Sequence, residues 1–484
     1  MRNPPPIHRL NHYNGTGRRN AWHTDGKCMM SVRDSSTSKH VETGVLVCLC
    51  FLLSSEGYLA WLYHLLETPF AGSIELATMG GGYLAQAVGI ALFMAVSRTR
   101  GSRPAKRLVL AALVIHLAVF PVAIMSSAVL PVIVSGYVAN LLYGVMQGFY
   151  LEKLCTQVEK RRRGTVFGCG YGLSTVLTWL LSLPGGGMLA RGIPGFAVCA
   201  LLSAAVVVPV LRADDGSEAS SVSIPAPLET VRPLLRLCIA AIFLASLVKT
   251  VGFSYPTEDI LSGVNLELSR ILYGLGIAVA GILADRDRRL GLALCAASLV
   301  MPFLLIALSG VGASAFGLWM LAYLLTGIYV LFSVLLTVDL AEEAGREYMA
   351  GSGMLVRHVG DTLGTVIYVA LAARPIVLIV IAAVLFALTA MVFLALFRRE
   401  ITTAEPTSPE ERERRRFDRF AATHDLSARE RQILRLVLDE KSNAEIADEL
   451  VLSLSTVKFH MTNLLKKTGC KTRLEILAKY AENE

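Results

Sequence analysis

The chain has 484 residues, of which 54% are hydrophobic and 17% charged. This composition is too apolar for a chain built from several soluble domains, and it therefore predicts a protein whose larger part is buried in lipid. The formal net charge is +8 at pH 7, and its basic residues gather in the loops between apolar runs and near the C-terminal end.

Residues 1–42 are polar and basic and lack the periodicity of a packed domain. We therefore expect a disordered cytoplasmic leader over 1–42. Met29 and Met30 are alternative starting points for translation. The first apolar run follows a long polar stretch without a cleavage site, so no signal peptide is expected.

A series of apolar runs follows from Thr43, each of about 20 residues, which is the length that crosses a bilayer as a helix. We predict an all-α transmembrane domain over 43–397 with twelve helices. They lie near 43–63, 75–97, 108–126, 128–151, 165–183, 194–211, 234–253, 269–284, 290–309, 314–338, 354–373 and 375–397.

The loops between these runs differ in charge. Arginine and lysine are concentrated in the loops on one side of the predicted helices, beginning with the loop 98–107 and ending with Arg398 and Arg399. The loops on the opposite side carry Arg191 and Arg374. Basic loops stay in the cytoplasm. The sequence therefore predicts a multi-pass protein of the bacterial cell membrane, in contact with the lipid bilayer, with both termini in the cytoplasm.

The longest loop within this domain, 212–233, divides the helices six and six. The segment Gly281-Ile-Leu-Ala-Asp-Arg-Asp-Arg-Arg289 lies between the eighth and ninth helices and resembles the cytoplasmic loop motif of the major facilitator superfamily. The resemblance implies a facilitator-like fold. Two departures are a missing aspartate in the first-half loop 98–107, which weakens the case for transport, and Arg288, where the family prefers glycine.

Ionisable side chains inside spanning helices are costly and point to function. The candidates for a ligand cavity are Glu56, Lys249, Arg357, His358 and Asp361. His116, Asn140 and Gln147 are weaker candidates. Arg357 and Asp361 lie four residues apart, so mutual neutralisation on one helix face explains that pair equally well.

Residues 398–424 form a charged linker, which is either a short helix or a solvated tether. A flexible chain of this length spans on the order of 30 Å. Such a tether would confine the C-terminal domain to the neighbourhood of the membrane.

The domain over 425–484 has four predicted helices. Ser427 with Glu430, and Ser442 with Glu445, have the capping-box spacing that begins a helix. Ser453 caps a third helix that runs to about Thr468, where Gly469 ends it. Thr472 opens a fourth helix, with Leu474, Ile476 and Leu477 on its apolar side. A tight turn between the second and third helices is typical of a helix-turn-helix.

Positive charge is concentrated on the third helix and its exit. Between Leu450 and Leu474 the basic residues are Lys458, Lys466, Lys467, Lys471 and Arg473, and this segment contains no acidic residue. Such a cluster favours contact with phosphates.

The pattern Ser455-Thr-Val-Lys-x-His-x-x-Asn-x-x-x-Lys467 resembles the LuxR-type (NarL/FixJ) helix-turn-helix family. The resemblance implies double-stranded DNA as partner and makes 453–468 the recognition helix, including Ser453 and Val457. Lys458, Phe459 and Thr462 would face base edges. The residues implied at phosphates or the groove wall are Ser442, Asn443, Ser455, Thr456, His460, Asn463 and Lys467. Glu440, in place of a usual glycine, and the bulky Phe459 depart from the family pattern.

The leading hypothesis is a membrane-embedded transcriptional regulator that senses an unknown small-molecule ligand and binds DNA as a homodimer. The family resemblance places the dimer contact on the fourth helix, about 472–482, where Leu474, Leu477 and Ala478 form an apolar stripe. The alternatives are a secondary transporter that carries a DNA-binding domain and a scaffold that tethers DNA to the membrane. The nine cysteines lack zinc or redox spacing, and no nucleophile–base grouping is visible, so we expect no enzyme, metal or cofactor.

Overall fold

The computed structural model describes residues 21–68, 74–183, 191–213, 228–254, 266–300, 315–403 and 409–481. Regular secondary structure within these ranges is helical, without strands. The chain divides into two compact units, Met1–Arg399 and Glu400–Glu484, each with its own hydrophobic core.

The first unit contains twelve α-helices in its described ranges. Their bounds are α1 Ala21–Leu66, α2 Tyr83–Arg100, α3 Ser102–Met125, α4 Val129–Gln157, α5 Arg163–Ser182, α6 Gly192–Arg212, α7 Leu228–Ser254, α8 Leu266–Arg286, α9 Arg288–Ser298, α10 Ala315–Glu343, α11 Ser352–Leu371 and α12 Pro375–Thr403. A π-helical segment, Leu76–Gly82, leads into α2, and a 3₁₀ turn, Glu347–Gly351, leads into α11.

Ten helices among the described residues are long and apolar enough to cross a membrane. They correspond to ten of the twelve predicted runs. The eighth run lies within α8, which carries Arg270 near its start, and α9 covers the first part of the ninth run, whose remainder lies outside the described residues. The prediction of an all-helical, multi-pass membrane domain is confirmed.

The N-terminal stretch differs in part from the expectation. Helix α1 begins at Ala21, within the stretch predicted to be disordered, and residues 1–20 lie outside the described residues. Residues 21–42 contain no proline. A polar segment can therefore continue a helix that the apolar span has already nucleated, since each added residue costs far less than a new nucleus.

The helices pack as two groups. In the first, α2 and α3 contact α4, and α1 contacts α4, α5 and α6; in the second, α10 contacts α8 and α9, and α7 contacts α11. The groups meet where α5 crosses α8 and where α2 crosses α11. Close approach at α5–α8 depends on glycine, because a Cβ on Gly168 would lie 2.7 Å from the Ile277 carbonyl oxygen.

The second unit contains α13 Pro409–Thr423, α14 Ala428–Leu438, α15 Asn443–Glu449, α16 Leu454–Thr468 and α17 Arg473–Ala481. The last four match the four predicted helices. Helix α13 lies in the predicted linker, but Phe417, Phe420 and Ala421 are buried in the core of the second unit. The Tyr480 hydroxyl also donates a hydrogen bond to the Glu413 carboxylate at 2.7 Å. Of the two forms considered for the linker, a helix is therefore present over 409–423.

Candidate DNA-binding surface and membrane cavity

Hydrogen bonds at the helix starts fix the geometry of the second unit. The Ser427 hydroxyl oxygen accepts from the Glu430 N–H at 3.3 Å, and the Glu430 carboxylate accepts from the Ser427 N–H at 2.7 Å. Ser442 and Glu445 form the same reciprocal pair. The Ser453 hydroxyl oxygen accepts from the Thr456 N–H at 3.1 Å and begins α16. These caps satisfy backbone donors that would otherwise lack partners at the helix starts.

Helix α16 has one buried and one exposed face. Val457, Met461, Leu464 and Thr468 point into the core. The opposite surface, which we name the recognition face, consists of Ser455, Lys458, Phe459, Thr462 and Lys466, all exposed. Phe459 is 64% exposed although it is a large apolar residue. An exposed phenylalanine beside two lysines suits a surface that contacts base edges and phosphates.

Apart from Lys467 and the residues of the recognition face, the predicted DNA-binding residues fall into three groups. Val457 is 0% exposed, so its side chain belongs to the core and cannot reach DNA. Ser442 and Ser453 use their hydroxyl groups as helix caps. The half-buried side chains are Asn443, Thr456, His460 and Asn463.

The lysines on and after α16 differ in availability. The Lys467 ammonium donates to the Glu430 carboxylate and to the Asp425 carbonyl oxygen, each at 2.8 Å. Among the described residues, Lys458, Lys466 and Lys471 form no ion pair and are exposed. Lys466 and Lys471 are not among the residues that the family resemblance places on DNA. They belong to the run of basic residues after Leu450, and that run is the sequence signal for them.

The Lys467–Glu430 contact changes the acidity of the carboxyl group. Partial burial alone would raise the pKa of Glu430, but the hydrogen bonds from Lys467 and Ser427 outweigh it and hold that pKa below its usual value. The Ser442 hydrogen bonds likewise lower the pKa of Glu445. Both capping carboxyl groups are therefore ionised at neutral pH.

Three non-glycine residues of the second unit, Asp425, Glu440 and Val451, adopt left-handed backbone conformations that usually favour glycine. Glu440, at the position where the resembling family has glycine, has a φ of 59°, and Val451, in the turn before α16, has a φ of 53°. Val451 is 89% exposed. A β-branched residue in this region is strained, since its side chain crowds the backbone.

The fourth predicted helix, α17, differs from expectation at one position. Ile476 is buried and Leu477 half-buried, as predicted, but Leu474 is 76% exposed and Ala478 is also exposed. Leu474 therefore does not close the core of its own unit. It leaves an apolar patch with Ala478 one turn away on the same helix surface.

A cavity of about 260 Å³ lies in the first unit. Its wall is largely aromatic and polar, and the lining side chains include three predicted site residues, Lys249, Arg357 and His358. The Lys249 ammonium lies 2.9 Å from the Asp361 carboxylate, and the Arg357 guanidinium lies 3.7 Å from it. The structure thus brings together four of the five predicted cavity residues on α7 and α11.

A chain of hydrogen bonds leads away from the cavity. The His358 Nε2–H donates to the Gln147 side-chain oxygen at 2.9 Å, and the Gln147 amide donates to Gln86 at 2.8 Å. The Gln86 amide then donates to Asn140, also at 2.8 Å. This chain connects α11 with α4 and α2, across the two groups of helices. Gln86 was not predicted, although its polar side chain inside a spanning helix is the kind of signal that identifies such sites.

Glu56 does not line the cavity. It is buried within α1 and lies close enough to Cys199 of α6 to interact with it electrostatically. The sequence predicted that Glu56 lies within a spanning helix, but it did not predict the direction of its side chain. Glu56 faces the first helix group instead of the cavity.

The segment that resembles the facilitator loop motif connects the two helix groups. The Asp285 carboxylate accepts hydrogen bonds from the Gly164 and Thr165 N–H groups at 2.8 and 2.6 Å, at the start of α5. Arg288 donates to Asp285 at 3.1 Å and to Asp339 at 3.0 Å. The arginine that replaces the usual glycine therefore adds an ion pair to this contact.

Comparison with known proteins gives separate results for the two units. Residues 424–479 match the model of the bacterial regulatory proteins of the luxR family. The chain is 37% identical over 54 residues to the Bacillus subtilis spore germination protein GerE and covers 73% of that protein. It is 39% identical over 59 residues to the uncharacterised response regulatory protein YgeK of Escherichia coli K12, of which it covers 40%. These matches take up 11% and 12% of this chain.

The larger, helical part has a solved structural relative. The E. coli fucose:proton symporter FucP superimposes with a TM-score of 0.54 at 14% sequence identity, covering 74% of this chain and 98% of that one. Likeness at this identity shows the fold alone, which is the facilitator-like arrangement predicted. The chain belongs to the luxR family of bacterial regulatory proteins and joins this family's helix-turn-helix to a facilitator-like membrane unit.

Proposed function

We propose that this protein is a membrane-embedded transcriptional regulator whose recognition face binds double-stranded DNA. The observation that carries the proposal is α16, which presents Lys458, Phe459, Thr462 and Lys466 outward from a closed apolar core. Membership of the luxR family supports the same assignment. In this account the facilitator-like unit binds a small molecule in the cavity, and binding alters the DNA-binding state of the second unit.

Pairing of two second units belongs to the same proposal. One helix-turn-helix covers a short half-site, whereas specific binding commonly uses two, spaced by about one helical turn. The exposed Leu474 and Ala478 supply an apolar patch for this contact. The proposed site of action is the bacterial cell membrane, with both termini in the cytoplasm, since the basic loops and the DNA-binding unit require the same side.

The direct test is a gel-shift assay with the 409–484 fragment at fixed salt. Lys458→Ala should weaken binding by about 1–3 kcal/mol if Lys458 contacts a base. Arg414→Ala is the control, because Arg414 is an exposed cation on α13, outside the family-matched region and outside the predicted DNA contacts. Equal affinities of the Lys458 variant and the unsubstituted fragment would remove Lys458 from the site.

A second candidate function is secondary transport by a protein that also binds DNA. The observation in its favour is the polar, charged cavity inside a fold shared with a symporter. Counterflow of labelled solutes in proteoliposomes separates the two functions, because a sensor need not move its ligand. Accumulation of a labelled solute would establish transport, and its absence alongside ligand-dependent transcription would establish sensing alone.

A further inference from the structure

The charge balance of the membrane cavity points to the chemical class of its ligand. Three basic side chains line the cavity: Lys249, Arg270 and Arg357. Among the described residues that line it, none is an aspartate or glutamate. The wall facing the cavity is therefore positive.

Among the described residues, the carboxylates behind this wall do not neutralise its positive charge. Asp361 is nearly inaccessible and contacts both Lys249 and Arg357, and it also accepts a hydrogen bond from the Thr250 hydroxyl at 2.9 Å. In the described part of the chain, Arg270 forms no ion pair. Glu75 is a second described carboxylate nearby, since Glu75 and Arg270 are both electrostatic neighbours of Tyr58. Among the side chains that the structure describes, three positive charges therefore stand against two negative charges even when both carboxylates are counted.

An uncompensated positive charge inside the helix bundle is costly, because the low-dielectric surroundings solvate it poorly. An anion in the cavity would relieve this cost and gain charge-assisted hydrogen bonds from guanidinium groups. The remaining wall is aromatic, with Phe51, Tyr58, Tyr83, Tyr171 and Tyr273. These rings provide apolar contact for the body of a small molecule.

We propose that the cavity binds a small organic anion, with its carboxylate, sulfonate or phosphate group directed to Arg270 and Arg357 and its apolar body among the aromatic rings. The volume of about 260 Å³ limits the occupant to a small molecule. The inference rests on the proposed function in assigning the signal to this cavity, and it adds the class of ligand.

The test measures the charge preference of the cavity without knowledge of the natural ligand. Ser55 lines the cavity, and its substitution Ser55→Cys in the purified full chain places a thiol there. Two methanethiosulfonate reagents are compared, one ending in an anionic sulfonate and one in a cationic trimethylammonium. The unsubstituted chain corrects for native cysteines, and free 2-mercaptoethanol gives the intrinsic ratio of the two rates.

A positive cavity should raise the sulfonate-to-ammonium rate ratio at the introduced thiol about tenfold or more above the intrinsic ratio. In the Ser55→Cys chain, adding Arg270→Gln should lower the ratio most of the way to the intrinsic value. Adding Arg270→Lys should leave the ratio raised, because the positive charge is kept. Arg286→Gln, which removes an exposed charge outside the cavity, should leave it unchanged.

A ratio equal to the intrinsic one, or one that favours the cation, would overturn the proposal. Failure of both reagents to react would also overturn it, because a ligand site must admit a solute of this size. The rates are measured without DNA, so they are independent of whether the second unit regulates transcription. Loss of regulation would therefore defeat the proposed function while leaving the anion preference intact.

Discussion

Helix α13 contributes buried side chains to the core of the second unit, so a substitution inside it should destabilise that unit. Phe420 lies in α13, outside the 424–479 region that matches the family, yet it is 0% exposed. Its ring packs edge-on against Tyr480 with the centroids 5.3 Å apart. Phe420→Ala removes a fully buried ring and leaves a cavity, which costs about 3–5 kcal/mol.

This loss is large beside the stability of a small domain, which is roughly 5 kcal/mol at this size. The measurement is urea unfolding of the 409–484 fragment, followed by circular dichroism. Phe459→Ala is the matched control: the same substitution at an exposed ring of α16 should change the free energy of unfolding by less than about 0.5 kcal/mol. If both variants lose the same small amount, α13 is a linker and the reasoning is refuted. A fragment that starts at residue 425 should likewise be less stable than the 409–484 fragment.

Three further predictions follow from the second unit and one from topology. Val451→Gly should raise the free energy of unfolding by about 1 kcal/mol, because glycine adopts the left-handed turn without strain; a loss of stability would contradict this. Glu430 has a lowered pKa, so its contribution to the free energy of unfolding is present above pH of about 4.3 and is lost as the pH falls through the folded-state pKa. In urea unfolding at a series of pH values, Glu430→Gln should therefore reduce the loss of stability at acid pH. An unchanged loss would assign it to other groups. Ala478→Glu, once circular dichroism shows it folded, should weaken binding to a two-half-site operator far more than to one half-site, and equal effects would end the pairing model. A reporter fused after Arg399 should be active in the cytoplasm only, and activity outside would overturn the charge argument.

The C-terminal helices were predictable because their signals are local. Ser427 and Glu430, three residues apart, form the capping box that their spacing indicates, and Gly469 ends α16 with a φ of 71°. Such interactions depend on neighbours within one turn. The exposure of Leu474 was not predictable in the same way, since it depends on how α17 rotates against α14 and α16.

The sequence also predicted the broad organisation of the membrane unit. Apolar run length predicted the spanning helices, and polar residues within them predicted Lys249, Arg357, His358 and Asp361 as neighbours. Glu56 shows the limit of that reasoning, because an intramembrane charge can face another helix as well as a cavity. Arg270 and Gln86 were missed although the same rule applies to them.

The linker shows a different limit. The segment 409–416 is rich in charge, which fits a short helix and a solvated tether equally well, but Phe417, Phe420 and Ala421 follow at helical spacing and are buried. Phe420 packs against Tyr480 and Phe417 against Arg435, and both partners lie far along the chain. Tertiary contact therefore decides the boundary of this unit, and local composition does not.

The central claim is that a membrane-bound protein occupies specific DNA through the recognition face of α16. Chromatin immunoprecipitation of the tagged full chain from the membrane fraction tests it most directly. The account predicts enrichment at a small number of promoters, with enrichment lost in Lys458→Ala and kept in Arg414→Ala while both variants remain in the membrane fraction. Uniform recovery of DNA, or enrichment that survives Lys458→Ala together with Lys466→Ala, would contradict it.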